Sequence, residues 1–243
     1  MGLGGGLAVT WYGHACVEIR TPGGKTVLVD PWFGNPKSPR LARDVKTCDL
    51  MLVTHGHNDH VGDCLEIGAR TRPAWPAMHE LALWLGHTLT AGADGVIGMN
   101  KGGTVTAAGL KVSMTRADHS GGTWDEAAGT TLYLGEPAGF IIEVEDGRRV
   151  YHAGDTNVFG DMRLIRELYR PFVALLPIGG HYTMGPREAA LAVELLGIRK
   201  VIPIHYGTFP MLAGTPDELR RELEARGLYD VEVLDPAPGG TIH

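Results

Sequence analysis

Leu50-Met51-Leu52-Val53-Thr54-His55-Gly56-His57-Asn58-Asp59-His60 is the stretch from which the rest of the chain can be read. An apolar run is followed at once by three histidines and an aspartate crowded into the positions His55 to His60. A strand is fixed by the core, whereas the loop it feeds is free to wrap around an ion. Imidazole and carboxylate donors at that density suit a divalent cation such as zinc, manganese or iron. An isolated histidine is more often a surface or packed residue. His-x-His-x-Asp-His directly after a strand reverses that expectation.

One such run cannot fill two metal shells, so further ligands must come from elsewhere in the chain. Three positions qualify: His119 beyond Lys111–Thr115, Asp155 beyond Arg149–His152, and His205 beyond Lys200–Ile204. Each is a polar residue just past an apolar strand pattern, which is where site residues gather in layered α/β folds. The same pattern recurs along the chain. Strands are expected at Leu7–Trp11, Cys16–Arg20, Thr26–Val29, Leu50–Thr54, Lys111–Thr115, Phe140–Val144, Arg149–His152, Val173–Leu176 and Lys200–Ile204. Thr215-Pro216-Asp217-Glu218 is a capping box with proline at the first helical position, and Gly227 is its expected stop. Pro186 opens a second helix, with Ala189, Val193 and Leu196 on one face and Gly197 at its end. Weaker helical patterns lie near 61–69, 79–86 and 161–169. Short strands alternating with helices predict an α/β fold.

An internal echo accompanies this pattern. Asp30 ends one strand and His55 follows another 25 residues later, while Asp155 ends a strand and His181 follows another 26 residues later. Two similar halves would bring both sets of strand ends to one edge of a sandwich.

The 243 residues are read as one domain spanning 1–243. A net charge of −6 argues against a general nucleic-acid binder, although it leaves room for a local basic pocket. No apolar run approaches a membrane span. Met1 to Gly6 lacks the basic start and apolar stretch of a signal peptide and reads as a flexible lead-in. Cys16, Cys48 and Cys64 are odd in number with no Cys-x-x-Cys, so they read as reduced, mostly buried thiols of a cytoplasmic protein.

The motifs together resemble the metallo-β-lactamase superfamily, whose signature is His-x-His-x-Asp-His followed by a histidine, a bridging aspartate and a last histidine. The chain is especially similar to the bacterial metal-dependent hydrolase branch related to L-ascorbate-6-phosphate lactonases and, more distantly, to a phospholipase D acting on N-acyl phosphatidylethanolamines. The likeness runs through Gly13-His14-Ala15, Val29-Asp30-Pro31-Trp32, Ala117-Asp118-His119-Ser120, Tyr151-His152-Ala153-Gly154-Asp155-Thr156, Leu176-Pro177-Ile178-Gly179-Gly180 and Pro203-Ile204-His205-Tyr206-Gly207-Thr208. It implies a four-layer αββα sandwich and two divalent ions, zinc first, manganese or iron as alternatives. His55, His57 and His119 would hold one ion; Asp59, His60 and His205 would hold the other, with Asp155 bridging. The implied reaction is hydrolysis of a small ester, lactone, amide or phosphoester by hydroxide held between the ions, with Asp59 both ligand and catalytic orienter. A small phosphodiesterase and a non-catalytic metal-binding protein are the alternatives.

Flavodiiron oxygen reductases share the implied fold but resemble a His-x-Glu-x-Asp pattern. His57 in the glutamate-like place favours hydrolytic over redox chemistry. The stretch from His119 to Asp155 is too short for the large insertion usual in nucleases of the superfamily. Around the ligands, Asp30 is expected to accept the free N–H of a ligand histidine, and His14 to donate a hydrogen bond from the pocket wall. His181 or Tyr182 is expected to touch substrate. The glycines before them would allow close backbone approach to a ligand. Trp32, Trp124 and Tyr133 are candidates for the cleft lining. His152 is read as packing, and His79, His87 and His243 as surface residues. The partner expected is a small-molecule substrate, with no nucleic acid; homo-oligomerisation is compatible with the sequence.

Overall fold

The computed structural model of the chain describes residues 2–89 and 91–243. Two mixed sheets form its centre. The first orders its strands Thr241–Ile242, Ala8–Trp11, Val17–Arg20, Thr26–Val29, Leu50–Leu52. The second orders Glu232–Val233, Lys200–Ile204, Val173–Pro177, Arg149–His152, Ala138–Glu143, Leu110–Arg116, Thr104–Ala107. All nine expected strands are present, with ends shifted by no more than two residues.

Period-two alternation sorts the side chains of the second sheet into two cores. Phe140, Ile142, Leu175, Ile202 and Ile204 face the first sheet and join its Val9, Val27 and Leu50. Ile141, Leu176 and Val201 face the other way, against Ile165, Val193 and Leu219 of three helices, Met162–Tyr169, Pro186–Leu196 and Pro216–Ala225. Thr26–Val29 is buried at every position, so its sheet is covered on both faces. Helices Cys64–Thr71 and His79–Thr88 contribute Ile67, Leu81 and Leu85 to that core. This is the expected α/β sandwich with helices outside two sheets.

The internal echo has a topological counterpart. Thr26–Val29 pairs in parallel with Leu50–Leu52, and Arg149–His152 pairs in parallel with Val173–Pro177. The strand ends that deliver Asp30, His55, Asp155 and His205 therefore open the same way within each sheet. The two halves are tied across the site by a hydrogen bond from the His205 amide to the His14 carbonyl, at 2.8 Å.

Helix signals are accurate where the capping chemistry is explicit. Thr215 accepts from the Glu218 amide, and the Glu218 carboxylate accepts from the Thr215 amide at 2.9 Å. Gly197 ends its helix in the left-handed region, φ 60°. Replacing Thr215 by alanine is expected to lower stability by about 1 kcal/mol, read as a small fall in Tm with metal binding unchanged, because the cap is on an exposed helix end away from the cleft.

The amino-terminal reading needs correction. Met1 lies outside the described residues, but Leu3 is buried, and Arg148 donates to the carbonyls of Leu3, Gly4 and Gly5. A guanidinium fork satisfies backbone that the glycines alone would leave loose. The three thiols are free and buried, and burial pushes Cys48 up to about 12. No helix among the described residues is long and apolar enough to cross a membrane.

Candidate metal centre

The parallel strands end in a row of polar residues, as the sequence suggests, and the loops fold them into one cluster. The donor atoms of His55, His57 and His119 lie within 4.8 Å of one another, as do those of His55, His60 and Asp155. A third group within the same limit joins His14, Asp59, His60 and His205. Asp155 stands between them. Its Oδ2 is 3.1 Å from His205 Nε2, 3.3 Å from His60 Nε2 and 3.6 Å from His119 Nε2.

These atoms converge without satisfying one another. His60 Nε2, both ring nitrogens of His205 and Asp155 Oδ1 are buried and make no directed hydrogen bond. Orphaned buried polar atoms each cost roughly 1–3 kcal/mol. Two of them, His60 Nε2 and His205 Nε2, lie within 3.3 Å of the Asp155 carboxylate and fit a divalent cation that would take up their lone pairs. The donor set, nitrogen-rich with two carboxylates, also fits such an ion.

Tautomers follow from the surrounding hydrogen bonds. Asp30 is fully buried and accepts from the Thr54 amide and the Thr54 hydroxyl, each at 2.8 Å. It also takes the Nδ1–H of His60 at 2.8 Å, which makes Nε2 the nitrogen that offers a lone pair once the ring is neutral. The Thr54 hydroxyl, having donated to Asp30, is left to accept from His55 Nδ1 at 3.0 Å. One carboxylate thus turns the Nε2 lone pairs of two histidines toward the cluster. Ser120 Oγ lies 3.3 Å from His57 Nε2 and leaves His57 Nδ1 directed at His55 Nε2, 2.8 Å away. Asp30 thus meets His60 directly and His55 through Thr54, one histidine more than the sequence reading gave it.

His14 does comparable work for Asp59. Burial drives its ring down to about 4, against the opposing pull of Asp59, so it is neutral at ordinary pH. Asp59 Oδ2 can only accept, so His14 Nε2–H donates to it at 2.9 Å, and Nδ1 takes the Thr208 hydroxyl at 3.0 Å. Burial works against the Asp59 carboxylate, yet the His14 hydrogen bond and nearby His60 hold it well below the usual carboxylate range. Three residues of this assembly adopt left-handed backbone: His14 (φ 52°), Asp30 (φ 47°) and His205 (φ 54°). Such strain, of order 1–3 kcal/mol each, persists only where surroundings over-determine it. The His205-to-His14 backbone bond and the Trp11 indole on the His14 carbonyl supply that constraint.

Burial opposes a charged His60, but Asp155 and Asp30 on either side outweigh it and hold its proton well above the ordinary imidazole range. A cation must displace that proton to reach Nε2. Metal affinity is therefore expected to rise with pH through the neutral range, by about tenfold per unit for each proton released. Competition titrations with a chromogenic zinc chelator at about pH 6 and about pH 8 would read this slope, and a flat response would show that His60 carries no proton at Nε2 for a cation to displace.

Above the cluster lies a cleft of about 460 Å³. His14, His57, Asp59, His119, Asp155 and His205 form its floor. Ser120, Tyr182, Phe209 and Leu212 form its walls. The structure separates two residues that the sequence left as equals: Tyr182 reaches this cleft, whereas His181 lines a neighbouring groove with Arg187 and Glu222. The close approach at Gly179 also has a different object. A Cβ there would stand 2.2 Å from the His205 carbonyl oxygen, so the glycine admits the strand end that carries His205 rather than a substrate. Trp32 packs edge-on against His14, and Trp124 and Tyr133 are exposed on a separate hairpin, Gly122–Asp125 with Thr130–Tyr133. His152 is fully buried and accepts from the Gly154 amide, which fits its reading as packing; His79, His87 and His243 are exposed. Ser120, Thr208, Phe209 and Leu212 carried no sequence expectation. Ser120 directly follows His119, and the other three lie within seven residues of His205; this adjacency was the available signal.

Residues 25–206 match a family model described as "Beta-lactamase superfamily domain". A UPF0173 metal-dependent hydrolase of Rubrobacter xylanophilus is 46% identical over 96% of this chain and 95% of its own length. Another from Methanosarcina mazei is 46% identical over 97% of this chain and 98% of its own. Among solved structures, a metallo hydrolase from the hyperthermophilic archaeon Ignicoccus hospitalis is 39% identical, with 97% of each chain covered and a TM-score of 0.83.

Proposed function

Because the chain belongs to the UPF0173 metal-dependent hydrolase family of the metallo-β-lactamase superfamily, we propose that it hydrolyses a small ester, lactone, amide or phosphoester at a pair of divalent ions. His55, His57 and His119 would hold one ion and Asp59, His60 and His205 the other, with Asp155 between them; zinc is the first candidate, manganese or iron the alternatives. The observation that carries this reading is the convergence of orphaned donors on Asp155 beside the His55, His57 and His119 trio.

Bound ions of this kind acidify water to near neutrality and polarise an acyl or phosphoryl oxygen. The chain's own residues do the rest. Asp30 and Ser120 fix the ligand tautomers, His14 holds Asp59 in its place, and Tyr182, Phe209 and Leu212 wall the cleft that would take the substrate. Asp59, at the cleft floor, is suited to orient the attacking water by accepting a hydrogen bond from it.

The test is to strip the protein with chelator, reload it with zinc or manganese, and measure bound metal and hydrolysis of a panel of lactones, thioesters and phosphodiesters. About two equivalents per chain and metal-dependent turnover are expected. Less than one equivalent, with no rescue by either metal, sinks the proposal. Loss of turnover in Asp59→Ala, with fold retained, separates catalysis from a purely metal-binding role.

A further inference from the structure

The walls of the cleft bear on which substrate the site takes. Among the described residues that line it, none is a lysine or arginine. Lys37 packs its Nζ beside Gly207 and does not reach the lining. The walls instead present the rings of Phe209 and Tyr182 and the side chain of Leu212. Phe209 is seated rather than loose: its ring lies 6.2 Å from that of Trp32 and meets the His14 ring edge-on at 6.1 Å.

Charge at the reacting centre itself would be matched by the ions the cluster is suited to hold, so the wall matters for the remainder of the molecule. A second anionic group on the substrate, such as a phosphate monoester, would leave water for an aromatic and aliphatic surface with no counter-charge. That desolvation is costly, whereas an alkyl or aryl group placed there gains roughly 0.8 kcal/mol for each methylene buried. A cleft of about 460 Å³ is of small-molecule size.

Resting on the hydrolase reading above, we infer that the substrate is an uncharged carboxylic ester or lactone whose acyl arm is apolar and packs against Phe209, Leu212 and Tyr182. The acyl C–O bond breaks, the water oxygen forms the new bond to the acyl carbon, and one water proton passes to the leaving oxygen. The products are an alcohol and a carboxylic acid, which releases its proton at neutral pH. A phosphorylated lactone, the substrate type suggested by the resemblance to L-ascorbate-6-phosphate lactonases, does not match this wall.

Matched ligands test this on the metal-loaded protein. Hexanoate and adipate have the same length, but adipate puts a second carboxylate where the apolar arm would lie. Calorimetric titration is expected to show hexanoate bound at least about tenfold more tightly. Lengthening the acyl chain of neutral ester substrates should raise kcat/KM roughly two- to fourfold per methylene until the cleft is filled. Phe209→Lys should narrow or reverse the preference for hexanoate while bound metal stays unchanged. Adipate binding as tightly as hexanoate, or faster turnover of a phosphorylated lactone than of its unphosphorylated counterpart, overturns the substrate class while leaving the hydrolase reading intact. If the loaded protein turns over nothing in the panel, the hydrolase reading fails first and this inference falls with it.

Discussion

Asp155→Ala is expected to strip the protein of most of its metal and to lower hydrolysis by more than about 100-fold, beyond the usual effect of losing an outer hydrogen-bond partner. Among the described residues, Asp155 is the one carboxylate with an oxygen within 3.6 Å of histidines from both proposed shells, His119 on one side and His60 and His205 on the other. Asp59 approaches His60 only to 4.0 Å and is already engaged by His14. Burial opposes the charge on Asp155, but His205 and His60 hold its carboxyl well below the usual range, so it is an anion at any pH where the site works. Without it, several imidazoles converge on a space with nothing to balance a dication. Asp155→Asn keeps the shape and removes the charge, and it should be nearly as damaging. Elemental analysis of bound metal, with circular dichroism to verify folding, reads the result. An asparagine variant that retains full metal and turnover would show that geometry alone holds the ions and that Asp155 does not bridge.

The cluster of candidate ligands was legible because each of its members follows an apolar strand in the sequence, and strand placement is governed by local alternation that the core enforces. The features that sequence did not disclose depend on distance along the chain. Val9 pairs with Ile242, more than 230 residues away, through a strand of only two residues. The strands Trp75–Met78 and Val96–Met99 pair in a separate two-stranded sheet, and Pro76 within the first obscures its strand pattern. Thr130–Tyr133 is exposed at all four positions, so it carries no alternation to detect. The internal echo was visible only as spacing, and its meaning lies in the two parallel pairings that follow Asp30 and Asp155. The cleft walls were hidden for a related reason. Phe209 and Leu212 have no motif, and they reach the site because the loop after His205 folds back through a bond from the Gly207 amide to the Leu212 carbonyl.

Asp30→Ala should have the largest effect on stability of any single change at the site, about 3–5 kcal/mol, because it removes the carboxylate on which three buried donors converge. The Thr54 amide, the Thr54 hydroxyl and His60 Nδ1 all converge on its two oxygens, and none is open to solvent. The same change should weaken metal binding by about 10- to 100-fold, since the carboxylate sets the tautomer of His60 directly and that of His55 through Thr54. Asp30→Asn separates the two consequences. Its amide oxygen can still accept from Thr54, so much of the fold stability should return. Its NH2 group would face donors, however, and His60 could keep that contact only by turning Nδ1 into an acceptor, which puts the proton on the Nε2 meant for metal. Stability should therefore recover further than affinity. Thr54→Val, which leaves the Asp30 contacts with His60 and the Thr54 amide in place but removes the hydroxyl that joins Asp30 to His55, should fall between the parent protein and Asp30→Ala in both measurements. Chemical denaturation of the chelated protein gives stability free of any metal contribution, and zinc competition gives affinity. If stability and affinity recover together in Asp30→Asn, the carboxylate acts only as a packing and hydrogen-bond anchor, and the tautomers of His55 and His60 are set by the metal itself.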